Sequence, residues 1–258
     1  MAYATITATT HGAVTTLALA RPDKLNAIVP QVFAELTAAI DEALAAGTRA
    51  FVLTGEGRFF CSGADIAGEG GLPEDLGALI DAHYNPFVQK LAALPVPIVT
   101  ALNGPVAGAG VSLALSGDFI VAAESSYLLL AFVNIGLVPD AGATWLVARS
   151  LGRARALEMA LLGERLPAQA AQAAGLVNRV VADHLVLEEA QAYAGRLAAG
   201  PSLAIGAIRR QVAFALDHDF AASLACERDN QRALGRTKDF AEALAAFAEK
   251  RKPHFTGQ

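Results

Sequence analysis

The sequence predicts an α/β fold organised as one large domain, and three observations lead to this prediction. Strand and helix signals alternate through the first half of the chain, whereas the second half shows only helical periodicity. The chain has 258 residues, 54% of them hydrophobic, which is enough to enclose a substantial core. No linker-like segment divides the halves, so a second independent domain is not expected.

Short apolar runs in the first half are the predicted strands, at residues 4–8, 14–19, 50–54, 98–102 and 119–123. A first helix is predicted at residues 30–46, because Pro30 stands near its start and Gly47 at its end. A second helix is predicted at residues 82–94. Alanine-rich amphipathic stretches predict the later helices, at residues 168–174, 185–199, 202–216, 221–234 and 240–250.

Composition argues against several classes of function. The net charge is −5 and no basic stripe is present, which argues against a nucleic-acid partner. No apolar run reaches the ~18 residues that a membrane span needs, and the first residues do not read as a signal peptide, so a cytoplasmic protein without a membrane partner is expected. Two cysteines make no disulfide framework, and five histidines show no metal-ligand spacing, so no metal site is expected.

Two glycine-containing turns carry the strongest functional signal. Residues 101–115 read as the end of a strand, a glycine-rich turn and a buried helix that starts near Gly108. Free N–H groups at such a helix start stabilise a negative oxygen, although close helix packing also selects glycine and alanine. A second strand and small-residue turn occupy residues 51–66. Cys61 lies in that turn, where it is either a nucleophile or simply a small residue that fits a tight turn.

Together the turns resemble those of the crotonase (enoyl-CoA hydratase/isomerase) superfamily. Four further segments match that family in order, at residues 19–28, 135–142, 174–181 and 247–255. The resemblance implies a stacked ββα spiral core at residues 1–182, followed at residues 183–258 by a helical trimerisation region that also forms part of the CoA site. It also implies that the backbone N–H groups of Ala64 and Ala109 form an oxyanion hole for a thioester carbonyl.

The acid/base groups decide which reaction such a hole supports. Hydratases of this family position water with two glutamates, and the matching positions here hold Ser112 and Phe132. One carboxylate remains in the expected segment, Asp140. It either caps a helix through residues 144–149 or acts as the single acid/base, as in the phenylacetate-pathway ring-epoxide isomerases. Phe132 and its neighbours Val133 and Leu137 are expected to keep the site dry and to raise the pKa of Asp140.

The resemblance therefore favours an isomerase. Asp140 would remove a proton from C2 of a thioester held in the oxyanion hole and return it to C4. A hydratase or lyase that uses Asp140 with water is the first alternative, and a non-catalytic CoA-ester-binding protein is the second. The sequence does not distinguish a linear 3-enoyl-CoA from a 1,2-epoxyphenylacetyl-CoA substrate.

The resemblance also implies the contacts with CoA, which is part of the substrate, and no separate cofactor is expected. The expected substrate-binding residues are Lys24, Leu25, Ser62, Ala64, Asp65, Ile66, Gly108, Phe132 and Lys250. Lys24 and Lys250 are candidates for the CoA phosphates, Lys250 on a neighbouring subunit, but ordinary solvated lysines explain them equally well. The family and the low charged fraction of 17% predict a homotrimer or a dimer of trimers.

Two further segments are expected to border the acyl group. Residues 68–74 form a loop rich in glycine and acidic residues, which is expected to be a mobile wall of the pocket. His83, Tyr84 or Asn85 is expected either to face an aromatic acyl group or to belong to a helix start that Pro86 fixes.

Overall fold

A computed structural model describes residues 3–68, 71 and 73–258 of the chain. The strands are β1 (Ile6–His11), β2 (Val14–Leu19), β3 (Ala50–Gly55), β4 (Ile98–Leu102), β5 (Val106–Ala107), β6 (Phe119–Ala123), β7 (Tyr127–Leu129), β8 (Arg165–Pro167) and β9 (Arg179–Val181). The helices are α1 (Pro30–Ala45), α2 (Leu76–Leu79), α3 (Asn85–Ala93), α4 (Ala109–Leu115), α5 (Ala143–Leu162), α6 (Ala168–Ala173), α7 (Val186–Ala198), α8 (Ser202–Ala215), α9 (Phe220–Leu234) and α10 (Lys238–Ala248).

The strands form two sheets that the chain visits in turn. The larger sheet has the order β1-β2-β3-β4-β6-β9, and the smaller has the order β5-β7-β8. The β1–β2 and β7–β8 pairs are antiparallel, and the remaining pairs are parallel. After β4 and again after β6, the chain leaves the large sheet for the small one, as expected for a spiral. Parallel bridges between Ile28 and Ala64 and between Cys61 and Val106 extend this stacking toward the N-terminus.

The predicted strands of the first half all appear, with one shift. β1 begins at Ile6 rather than at Ala4, because the Glu35 carboxylate accepts the backbone N–H groups of Ala4 and Thr5 at 2.8–3.2 Å. The strands of the small sheet span two or three residues each, and such short segments show no periodicity that a sequence pattern can reveal. The predicted helix at residues 82–94 is instead a π-helical turn, Ile80–Tyr84, that leads into α3.

The large sheet is buried on both faces. On one face, alternate residues of β3, β4 and β6 pack against α7, which contributes a residue every fourth position. The members of this layer are Ala50, Val52, Val99, Ala101, Val121, Ala123, Val186, Ala190, Ala194 and Ala198. The opposite face joins α1, α3 and α4 in the main core. Strands covered on both sides read as continuous apolar runs, which is why the sequence revealed them so clearly.

Polar contacts attach the last helices to the rest of the chain. The Arg49 guanidinium donates to Ser202 Oγ at 2.8 Å and to the carbonyl oxygens of Gly200 and Phe255 at 2.6 and 2.8 Å. The buried Asp239 carboxylate accepts the backbone N–H groups of Thr256 and Gly257 at 2.7 and 3.0 Å. The C-terminal segment therefore has a fixed path, although the boundary at residue 183 stays a prediction.

Large apolar side chains remain exposed on the C-terminal helices of the single chain. The most exposed of them are Ile208, Val212, Leu216, Phe220, Leu244 and Phe247. None of the described helices has the length and apolar character that crossing a bilayer requires. Within residues 3–68, 71 and 73–258, no cluster of three histidine, cysteine or acidic residues could hold a metal ion.

Two helical glycines should respond in opposite ways to alanine. Gly206 lies buried in α8, and a Cβ there would overlap the carbonyl oxygen of Pro95. Gly195 lies exposed in α7, where no described atom would come within 4 Å of a Cβ. Gly195→Ala should stabilise the fold by about 0.5–1 kcal/mol through helix propensity. Gly206→Ala should destabilise it by about 1–3 kcal/mol through overpacking. Urea unfolding of both variants measures the two effects, and equal effects would contradict this packing.

Candidate active site

The two turns singled out in the sequence lie against each other. A Cβ on Gly63 would lie 3.1 Å from the carbonyl oxygen of Ala107 and 3.3 Å from Gly108 Cα. Gly63 and Gly108 also have φ of +92° and +56°, in the region that side-chain-bearing residues rarely adopt. Both glycines are therefore required for this approach, and each is followed directly by a candidate donor residue, Ala64 or Ala109.

The backbone N–H groups of Ala64 and Ala109 are available to a ligand. In the bridge to Ile28, the Gly63 carbonyl accepts the Ile28 N–H at 2.8 Å, and the Asp65 N–H donates to the Ile28 carbonyl at 2.9 Å. The bridge therefore does not use the Ala64 N–H. Ala109 is the first residue of α4, so its N–H has no partner within the helix. In the described part of the chain, neither N–H has an acceptor. One ligand oxygen could therefore accept hydrogen bonds from the N–H groups of both turns.

Cys61 joins the two turns through packing and hydrogen bonds. Its carbonyl oxygen accepts the Ala107 N–H at 2.9 Å, and its Sγ accepts the Gly63 N–H at 3.4 Å. A Cβ on Gly110 would lie only 2.8 Å from Cys61 Sγ, so α4 packs directly on this side chain. Burial raises the pKa of the Cys61 thiol to about 12. The thiol is thus enclosed and protonated, which fits the small residue of a tight turn rather than a nucleophile.

Asp140 lies in the loop between a short 3-10 helix, Ala131–Ile135, and α5. Its Oδ1 atom is buried and has no hydrogen-bond partner among the described residues. Gly142 is the N-cap of α5, and no side chain caps this helix, so the helix-cap interpretation of Asp140 is wrong. Only the main-chain carbonyl of Asp140 contacts α5, where it accepts the Ala143 N–H at 2.9 Å. The carboxylate is left with an oxygen that can take a proton.

Burial makes the Asp140 carboxyl a weaker acid than an ordinary aspartate. Desolvation raises its pKa from 3.8 to about 6, although a hydrogen bond from its own backbone N–H acts in the opposite direction. A carboxyl group with such a pKa exchanges a proton readily near neutral pH, which is the property of a general acid/base.

Tyr84 lies near Asp140 and was one of the candidates for the acyl pocket. Its ring is buried against Phe33 in an edge-to-face arrangement with the centroids 4.6 Å apart. Burial raises the pKa of the Tyr84 hydroxyl to about 12, and negative charge on Asp140 and on Cys61 adds to the effect. The π-helical turn that ends at Tyr84 is a feature that proteins use frequently at functional sites.

A cavity of about 550 Å³ opens beside Ala64 and Tyr84, and its described lining includes neither Ala109 nor Asp140. Its described lining is Arg21, Lys24, Ile28, Val29, Pro30, Ala64, Asp65, Ala67, Gly68, Gly71, Pro73, Leu79 and Tyr84. The structure therefore brings the expected residues Lys24, Ala64 and Asp65 to one space. The predicted loop at residues 68–74 contributes to its wall, but Glu69, Gly70 and Leu72 lie outside the described residues.

Arg21 makes a contact that sequence reasoning did not single out, although the residue lies within the matched segment at residues 19–28. Its guanidinium donates to the Asp65 carboxylate at 2.9 Å and also to the carbonyl oxygen of Ala27. The side chains of Arg21 and Asp65 are only 20% and 10% exposed. The Asp65 carboxylate is thereby occupied, so this residue shapes the cavity through an ion pair. The charged Arg–Pro–Asp–Lys run at residues 21–24 is the one sequence feature that could have indicated the Arg21–Asp65 ion pair.

Several expected substrate-binding residues lie outside this described lining. Leu25 and Ser62 pair with each other through their backbones, with the Ser62 N–H donating to the Leu25 carbonyl at 3.0 Å. Ile66 is 53% exposed. Lys250 follows α10 and has φ of +54°.

The expected dry wall beside Asp140 is only partly present in the single chain. Phe132 is buried, whereas Val133 and Leu137 are each more than one third exposed. The 3-10 helix turns successive side chains to different sides, so its residues cannot all face inward. Of the three residues expected to form this wall, only Phe132 is buried within the single chain.

The raised pKa of Asp140 should appear in the pH dependence of stability. Burial disfavours ionisation of this carboxyl in the folded state and so lowers the free energy of unfolding. This loss of stability is absent below about pH 4, where the carboxyl is protonated in both states, grows between about pH 4 and 6, and is complete above pH 6. Asp140→Asn should therefore stabilise the fold by about 1–2 kcal/mol at pH 8, after allowance for partial exposure, and by nothing near pH 4. Urea unfolding at both pH values measures this, with the exposed Asp23→Asn as control. A gain of the same size at both pH values would contradict the assignment.

Comparison with known proteins agrees with this fold. A family model described as Enoyl-CoA hydratase/isomerase matches residues 9–258. The 1,2-epoxyphenylacetyl-CoA isomerase of Escherichia coli strain K12 is 41% identical over 250 residues, 95% of each chain. A probable enoyl-CoA hydratase of Rhodobacter capsulatus is 40% identical over 258 residues, 100% of each chain. The crystal structure of an enoyl-CoA hydratase from Bacillus anthracis superimposes with a TM-score of 0.94 at 31% identity, covering 99% of this chain and 100% of that one. The chain belongs to the enoyl-CoA hydratase/isomerase family and has the crotonase fold.

Proposed function

We propose that the protein is an acyl-CoA isomerase in which Asp140 moves a proton on a thioester held by the backbone N–H groups of Ala64 and Ala109. One observation carries the proposal: a buried carboxylate oxygen of Asp140 has no partner among the described residues, and its pKa is about 6. Such a group is expensive to keep in a folded protein, which is the mark of a functional residue.

The geometry supports a balanced proton transfer. The thioester oxygen accepts hydrogen bonds from the Ala64 and Ala109 N–H groups, which stabilises negative charge on that oxygen and makes the C2 hydrogen acidic. Asp140 takes the proton from C2, and a dienolate forms. The protonated Asp140 returns the proton to C4, so that the double bond moves from C3–C4 to C2–C3 with no net gain or loss of atoms.

The positions that hold glutamates in hydratases support isomerisation over hydration. Ser112 is fully buried, and its hydroxyl is engaged with the main chain. Phe132 is also buried and supplies volume without a lone pair. Water therefore lacks the paired carboxylates that would hold and activate it.

Two acyl groups remain candidates for the substrate. The name of the Escherichia coli relative supports a 1,2-epoxyphenylacetyl-CoA and hence a role in phenylacetate catabolism. The general mechanism serves a linear 3-enoyl-CoA equally well. In both cases CoA enters as part of the substrate, with Lys24 at the cavity as a candidate contact for its phosphates.

A hydratase or lyase is the second candidate, because relatives with hydratase names are also similar to this chain. The 2,3-dehydroadipyl-CoA hydratase of Escherichia coli is 36% identical over 233 residues. A non-catalytic CoA-ester-binding protein has less support, because its expected signature is an Asp140 exposed to solvent and distant from the two turns. In the structure Asp140 is partly buried and contacts α4, the helix that begins at Ala109.

A screen of three substrates tests these alternatives. The purified protein is assayed with a 3-enoyl-CoA, with crotonyl-CoA and with the ring-1,2-epoxide of phenylacetyl-CoA. We expect isomerisation of the first or the third at the roughly 1–10³ per second of ordinary enzymes, and hydration of crotonyl-CoA far below that range. Rapid crotonyl-CoA hydration with no isomerisation would replace the isomerase proposal with the hydratase one.

Asp140→Asn should abolish isomerisation but spare binding of the CoA ester. The amide keeps the shape of the side chain but cannot take a proton from C2, so kcat should fall about 10²–10⁴-fold or more. Affinity for a substrate analogue should change little, because binding depends on the CoA contacts and the backbone N–H groups. Steady-state kinetics and calorimetry measure the two effects, with Asp23→Asn as the matched control. Near-normal activity of a folded Asp140→Asn variant would remove Asp140 from the mechanism.

The exposed apolar residues of α8, α9 and α10 support a homotrimer or a dimer of trimers. Side chains such as Val212 and Phe247 are 57% and 86% exposed in the single chain, more than a soluble monomer usually leaves open. Sedimentation velocity at micromolar concentration should give a trimer or hexamer. Val212→Asp with Phe247→Asp should shift the distribution toward monomer, and a monomeric wild-type protein would contradict the expectation.

A further inference from the structure

We propose that Ser112 is a positioning residue that holds the main chain of Asp140 against the helix that begins at Ala109. The inference rests on the proposed function, because it concerns how the proton-transferring group and the oxyanion donors keep their relative positions.

The hydrogen bond of Ser112 is unusual for a serine within a helix. Ser112 lies in α4, three residues after Ala109, and it is fully buried. Its Oγ donates to the main-chain carbonyl of Asp140 at 3.2 Å. Ser116, one turn further along, bonds back to the Ser112 carbonyl at 2.7 Å, which is the common behaviour of a helical serine. Ser112 instead contacts a separate segment, so one short helix fixes both Ala109 and Asp140.

The segment around Asp140 needs such a contact. Ala141 and Gly142 have φ of +49° and +85°, and the left-handed conformation is unfavourable for alanine. The Asp140 carbonyl accepts from both Ser112 and Ala143, and these two bonds fix the peptide plane before the strained residue. No described residue bonds to Oδ1 of Asp140, so the place of that oxygen depends on the backbone.

Loss of the Ser112 hydroxyl should therefore affect the chemical step rather than binding. With one bond fewer, the peptide after Asp140 can rotate and the carboxylate can turn toward water. A misplacement of about 1 Å between reacting groups can cost about 10²-fold in rate. The contacts with CoA lie on other segments, so KM should be unaffected.

The first test compares Ser112→Ala with Ser116→Ala, which deletes the same group from the C-cap of the same helix. With 3-hexenoyl-CoA as substrate, we expect kcat of Ser112→Ala to fall about 10-fold or more while KM stays within about two-fold. Ser116→Ala should change neither value by more than about two-fold. Equal losses of kcat in the two variants, with equal losses of melting temperature, would reduce Ser112 to a general helix contact and overturn the proposal.

The second test needs no substrate and therefore separates this inference from the proposed function. The pKa of the Asp140 carboxyl is measured by ¹³C NMR titration, with Asp140→Asn to identify the signal. Tyr84, which lies near Asp140, has a pKa of about 12 and stays neutral in this range. In Ser112→Ala the pKa of Asp140 should fall from about 6 toward 3.8, as the carboxylate becomes solvated. In Ser116→Ala it should not.

An unchanged pKa in Ser112→Ala would overturn the positioning role even if the protein is an isomerase. Failure of the wild-type protein on every isomerase substrate would overturn the proposed function instead. In that case the NMR comparison still decides whether Ser112 holds Asp140.

Discussion

The close approach of two backbone turns is the constraint on which the rest of this structure depends. Gly63 and Gly108 meet at a distance that leaves little room for a Cβ on either residue. Gly110 likewise has no Cβ, and this allows α4 to pack directly on Cys61. Because the candidate donors are main-chain N–H groups, their positions are set by this packing and not by side-chain rotamers. A site of this kind needs a rigid frame, and the doubly covered sheet supplies one.

The spiral arranges the candidate site from separate turns of the chain. The turn after β3 supplies Ala64, the turn after β4 supplies Ala109, and the loop before α5 supplies Asp140. Parallel pairing of Cys61 with Val106 and of β5 with β7 stacks successive turns of the chain, so segments far apart in sequence become neighbours. The α7 helix closes the opposite side of the large sheet with small residues, which allow close packing.

Asp140 and the residue after it occupy unfavourable environments in this fold. Its burial disfavours the charged carboxylate and raises its pKa to about 6, and the following Ala141 adopts a left-handed conformation. Both features cost free energy that a purely structural residue would not require. Ser112 and Phe132 are also buried, and the Ser112 hydroxyl donates to the main-chain carbonyl of Asp140.

The sequence by itself determined the family, the long buried strands and most of the helices, because continuous apolar runs and ordered glycine motifs are local patterns. Of α5 (Ala143–Leu162) it indicated only residues 144–149. It also located Ala64, Ala109 and Asp140 as candidates. Only the tertiary structure decided what surrounds Asp140. The helix-cap alternative failed because Gly142 is the N-cap of α5 and no side chain caps that helix. Three features depend on segments that meet only after folding. They are the contact of Asp140 with Ser112, the proximity of Tyr84 to Asp140, and the pairing of the short strands of the small sheet. No local sequence pattern encodes such contacts.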